Sequence, residues 1–171
     1  MLTLALALAA ASPTSEPLLA AEAPWWEKIV MTISGDGSQQ SCRFESSAGP
    51  AASKNCEVDG ASKASAGSQA ANSPYTKMTF ERRFSPAGRP DMGSLQPGDT
   101  LLGRQIMALA IDASGSVQGC RVLIASGDVL PDYGCEEAKA EQFAASANPS
   151  AAVPREAYMT VLVYGHEEQL V

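Results

Sequence analysis

Short β-branched, apolar runs alternate along the chain with clusters of Gly, Pro, Ser and Asp. Lys28 to Ser34, KIVMTIS, predicts a strand, and Gln40 to Ser46 predicts its return. Between them Gly35-Asp36-Gly37-Ser38 predicts a turn, because glycine tolerates positive φ. The second half repeats this pattern: Gln105 to Ile111, a turn at Asp112-Ala113-Ser114-Gly115, then Val117 to Ile124. A helix is expected over CEEAKAEQFAAS, starting at Cys135. Pro131-Asp132 would open it, with Asp132 as cap, and Asn148-Pro149 would close it. Ala157 to Tyr164, AYMTVLVY, is the clearest strand of all. Tyr75 to Phe84, YTKMTFERRF, takes the equivalent place in the first half, while GASKASAGSQAANS before it predicts only a short or irregular helix.

Overlaying the halves strengthens that parallel. Ile33 meets Ile111, Gly37-Ser38 meets Gly115-Ser116, Cys42-Arg43 meets Cys120-Arg121, and Gly49 meets Gly127. The register slips slightly by Cys56 and Cys135, and again by Met78-Thr79 and Met159-Thr160, as small loop insertions would produce. The expected fold class is therefore α+β. It would comprise two related small lobes, each an antiparallel three-stranded sheet (β-hairpin, helix, β-strand) with one helical segment. The first lobe would cover 24–84 and the second 101–165. SPAGRPDMGSLQPGDT at 85–100 would link them, and 166–171 would form a tail.

Composition narrows the function classes. The chain has 171 residues and a formal net charge of −7, with only 12 Lys and Arg that never cluster, so no nucleic-acid partner is expected. Leu2 to Ala11, LTLALALAAA, is too short for a stable membrane span and fits the core of a secretory signal over 1–23. Cleavage is expected near Ala11 or Ala23, and localisation as periplasmic or secreted. Four cysteines suit an oxidising compartment. They lack the close C-x-x-C spacing of zinc and redox sites, so neither a metal nor a dithiol centre is expected. Three pairings are open, and the repeat selects Cys42 with Cys56 and Cys120 with Cys135. Closing a loop of about 15 residues is worth roughly 3 kcal/mol in the chain-entropy model.

The second half, IDASGSVQGCRVLIASG followed by a helix and an apolar strand, resembles the TonB C-terminal domain over about residues 101–165. Asp112, Gly115, Val117, Ser126 and Gly127 match the family's hairpin and its Ser-Gly element. Leu130 and Asp132 approximate its Leu-Asp, although Pro131 intervenes, and Gln142-Phe143-Ala144-Ala145 stands where Arg-Phe-x-Pro-Ala is usual. Some family members carry a cysteine pair placed like Cys120 and Cys135. The resemblance implies a periplasmic lobe that binds other proteins, with a last strand whose edge pairs with a short peptide. The long proline-rich spacer of TonB itself has no counterpart here.

No catalytic, cofactor-binding or metal-binding residue is assigned. His166, beside Glu167 and Glu168, reads as a solvated tail residue, Glu136 and Glu137 as a solvated helix face, and Asp112 as a turn residue. Ser126-Gly127 lacks the G-x-S-x-G of a nucleophile elbow. Trp25-Trp26 reads as packing aromatics, with a ligand-stacking platform as the competing reading. The expected activity is non-catalytic binding of an envelope protein or peptide by strand pairing, with a link to envelope transport as a further expectation. The partner edge would be Met159, Thr160, Val161, Leu162, Val163 and Tyr164, a run without charge. A disulfide-stapled structural or inhibitory secreted protein is the alternative, with a small secreted enzyme behind it.

Overall fold

Both expected hairpins form. The computed structural model describes residues 18–35, 39–48, 54–55, 74–129, 131–148, 150 and 153–168. Strand β1 (Trp25–Ile33) pairs with β2 (Gln39–Ser46), and β3 (Lys54–Asn55) adds two residues beyond β2. In the second half β5 (Asp99–Ile111) pairs with β6 (Val117–Gly127). The Asp112 carboxylate organises the tip of this second hairpin, since its Oδ1 accepts the backbone N–H of Ser114 at 2.9 Å and of Ser116 at 3.0 Å. Gly115 sits there at φ +88°, where a Cβ would lie 2.0 Å from the Phe143 carbonyl oxygen.

The remaining long strands decide the architecture. Strand β4 (Lys77–Ser85) pairs with the free side of β1, and β7 (Arg155–His166) with the free side of β5. These two strands then pair with each other, from Lys77 opposite His166 to Ser85 opposite Tyr158. The result is one antiparallel sheet of order β3-β2-β1-β4-β7-β5-β6, six long strands and the two-residue β3.

This corrects the expected α+β class and its two separate lobes. The protein is mostly β, and the third strands of the two halves fuse their sheets into one. Pairing β4 with β7 removes two open edges at once, which two independent lobes would each leave exposed. The described helix is also far shorter than expected. Helix α1 (Cys135–Ala140) begins after Gly134, whose N–H donates to Glu137 Oε2 at 2.8 Å, and Asp132 plays no part in the cap. It ends at Glu141, which is extended at φ −70°, ψ 149°. The next residues serve other elements: Phe143 bridges to Leu19, and Gln142 to Ser116 at the hairpin tip. Burying Phe143 against the sheet outweighs continued helix, whose intrinsic preferences differ by under about 1 kcal/mol per residue. The irregular helix expected in the first half lies outside the described residues.

One core cluster sits between α1 and the middle of the sheet. Met107, Leu109, Ile111, Ala157, Met159 and Val161 face it from β5 and β7, Phe84 and Trp25 from β4 and β1, and Ala138 and Phe143 from above. Phe84 stacks on Trp25 at 5.5 Å between centroids and meets Phe143 at 5.0 Å, so one ring joins both halves. A second cluster, Met31, Ile33, Cys42, Met78 and Val163, extends the core toward β2. The expected 85–100 linker is a packed connection: Ser85 and Asp99 belong to strands, and Gly93 lies where a Cβ would sit 2.8 Å from Leu162 Cδ1.

Replacing Phe84 by Ala removes a fully buried ring that contacts both halves. Denaturant titration of the F84A variant is expected to show a loss of about 3–5 kcal/mol, the usual cost of deleting a core Phe.

Candidate functional site

The sheet places the expected partner strand at its centre. Met159 to Tyr164 are paired on one side with β4 and on the other with β5, and all six residues are buried. They form no open edge, so the expected docking site is corrected. The absence of charge in this run follows from burial on both faces.

The open edge beside the second half belongs to β6. It is the last strand of the sheet, and no described strand pairs with its outer side. Residues 121–127 are exposed throughout. Three consecutive apolar side chains stand among them, Val122 at 45%, Leu123 at 41% and Ile124 at 43% exposure. The β5 register steps past Gln118 and Leu123, which makes each an extra, bulged residue on β6. Arg121, Ile124 and Ser126 lie opposite Ala108, Ile106 and Arg104, and so share their face of the sheet.

A disulfide steadies this strand from the other face. Cys120 and Cys135 are bonded, with Cα atoms 5.5 Å apart, and the bridge ties α1 to β6 beside the core. Cys42 is also disulfide-bonded, but its expected partner Cys56 lies outside the described residues.

Charges drawn into the sheet are neutralised by partners. On the core face the Arg82 guanidinium lies over the Trp25 and Tyr133 rings, 5.3 Å from each centroid. It meets Glu27 at 2.6 Å and also Glu141. Burial alone would lower its pKa, but the two carboxylates hold it above the ordinary arginine value. Burial pushes the Tyr133 phenol up, partly offset by Arg82. On the opposite face Glu81, only 2% exposed, meets Arg83, Lys28 at 3.6 Å and the Tyr164 hydroxyl at 2.8 Å. The Tyr164 pKa is raised, first by burial and then by Glu81. Arg83 also meets Asp91 at 2.8 Å through Nε. That nitrogen is buried and makes no aligned hydrogen bond, so the contact is an ion pair.

His166 ends β7 instead of lying in a tail, and its Nδ1 is 2.8 Å from Asp99 Oδ1. Trp25 is buried and its Nε1 donates to the Ala20 carbonyl at 3.0 Å, so it packs the core and offers no stacking platform. Trp26 carries the Lys28 ammonium 4.9 Å from its ring centroid. Glu136 and Glu137 are exposed on the first turn of α1. Among the described residues no cluster of His, Cys, Asp and Glu is placed to hold a metal ion, and no helix is long and apolar enough to cross a membrane.

No protein-family model, curated protein or solved structure matches the chain. The β6 edge was missed in the sequence although VLIAS carries a signal, an apolar triplet without period-2 alternation.

Replacing both Cys120 and Cys135 by Ser is expected to lower stability by roughly 2–5 kcal/mol in denaturant titration. Acid is expected to destabilise the fold through Asp91, whose carboxyl is held below its ordinary pKa by the Gly93 N–H and Arg83, against the opposing effect of burial. A depressed folded pKa gives stability that is full above the unfolded carboxylate pKa and fades as pH falls through the folded one. The D91N variant should therefore show a flatter dependence of unfolding free energy on pH below about 4.

Proposed function

We propose that the chain is an exported, non-catalytic module that binds a protein or peptide by adding a strand to β6. One observation carries this reading: the outer side of β6 has no described partner, and beside it Val122, Leu123 and Ile124 stand exposed. An edge of that kind offers backbone donors and acceptors for affinity and side-chain sites for specificity. The resemblance of the second half to the TonB C-terminal domain supports a strand-pairing role, though through a different strand, since β4 occupies the edge that such a domain would offer. The Cys120–Cys135 bridge supports an oxidising compartment such as a periplasm. The pairing of Glu27, Glu81, Asp91 and Glu141 with cations supports a non-catalytic role, because a general acid or base must be free to exchange its proton.

A benzophenone side chain introduced at Leu123 tests the reading in cells that produce the protein. It is expected to cross-link a partner that the same group at exposed Met92 does not reach. Adding Ile124→Asp is expected to weaken that product about tenfold or more, because pairing would bury a carboxylate against the incoming strand. The melting temperature should hold, since Ile124 is already exposed. Equal cross-linking from both positions, or a product indifferent to I124D, would overturn the proposal.

A further inference from the structure

We propose that the strand accepted by β6 is acidic: a short extended segment with two carboxylates on one face, flanking an apolar residue. The inference rests on the strand-addition reading above and names the chemistry of its partner. In a chain of net charge −7, β6 carries no acidic residue, and its one charge is Arg121. Arg104 lies on the same face, one strand inward, opposite the small Ser126. Neither arginine has an ion-pair partner among the described residues, and Arg104 Nε is buried without a hydrogen bond. The nearby carboxylates do not serve them. Glu156 accepts the Tyr158 hydroxyl, which lies within electrostatic reach of Arg121, but forms no ion pair with either arginine, and neither does Asp128, just past the strand. This contrasts with Arg82, Arg83 and Lys28, which all have acidic partners.

The register gives the spacing. Arg121 lies opposite Ala108, Ile124 opposite Ile106 and Ser126 opposite Arg104. Successive same-face positions on a strand are about 7 Å apart, so the two cationic rows are separated by about 13 Å, or four residues. An incoming strand would then set an acidic residue beside Arg121, an apolar one beside Ile124, and a second acidic one toward Arg104, past Ser126.

The test uses the full chain and three labelled peptides, followed by fluorescence anisotropy. One peptide is Thr-Glu-Thr-Val-Thr-Glu-Thr, the second has Gln for both Glu, and the third is the Glu peptide with alternate backbone nitrogens methylated. The Glu peptide is expected to bind roughly tenfold more tightly than the Gln peptide, as two surface ion pairs allow. Salt should erode that preference. The double variant R104Q/R121Q should bind both peptides alike, and methylation of the edge-facing nitrogens should abolish binding. Equal binding of the Glu and Gln peptides by the unmodified protein, with binding still lost on methylation, overturns the acidic partner and leaves strand addition standing. A Glu preference that survives methylation overturns strand addition itself. A preference that survives R104Q/R121Q, or no binding of either peptide, overturns the proposal. So does self-association in sedimentation that I124K abolishes, because the occupant would then be a second copy.

Discussion

Pairing of β4 with β7 is the constraint on which the rest of the structure depends. Each half builds a hairpin and lays a third strand along its first, so β4 and β7 each have one side left over. Joining those sides makes β7 a central strand and turns two small sheets into one. The core then gains residues from both halves on a single surface, Trp25 and Phe84 from one and Met159, Val161 and Phe143 from the other. A larger shared core buries a greater fraction of the chain than two lobes of half the size. The same junction moves the unpaired boundary of the second half outward to β6.

The charges of β4 fix how that junction is registered. Arg82 faces the core side with Glu27 and Glu141, while Glu81 faces the other side with Lys28, Arg83 and the Tyr164 hydroxyl. Burying such groups is costly unless each meets an opposite charge. A slip of one residue would exchange the faces of every β4 side chain. Glu81 would then turn toward Glu27, and Arg82 toward Lys28. These ion pairs act chiefly against the wrong register, since their net contribution to stability is small once desolvation is counted.

What the sequence made legible is local. The β5–β6 hairpin, its Asp112-to-Gly115 turn, the β7 strand and the Cys120–Cys135 bridge are set by residues near one another in the chain. What it concealed is which strands meet across the halves. Lys77, Glu81, Arg82 and Arg83 look like the blunting charges of an edge, but they are the paired charges of an interior strand. The uncharged MTVLVY looks like an edge waiting for a partner, yet it is uncharged because strands cover both its sides. Helix propensity over CEEAKAEQFAAS misled for a similar reason: Phe143 is drawn into a distant core, and the chain must extend to deliver it. In each case tertiary contact overrode a correct local preference.

An exposed apolar edge would invite sheet-to-sheet aggregation unless something limits its reach, and β6 carries two such limits. Gln118 and Leu123 are bulged, and each bulge bends the strand and increases its twist. A long flat strand from a second copy would have to follow both distortions, whereas a segment of a few residues need follow only the stretch from Arg121 to Gly127. Arg121 adds a second filter, because an incoming copy of β6 brings an arginine of its own and no carboxylate to meet it. The disulfide at Cys120 holds the strand against α1 at the inner end of this stretch, so its geometry is fixed before any partner arrives. Fixing it in advance lowers the ordering cost of association. Shape and charge at β6 therefore point the same way, toward a short acidic segment and away from self-association.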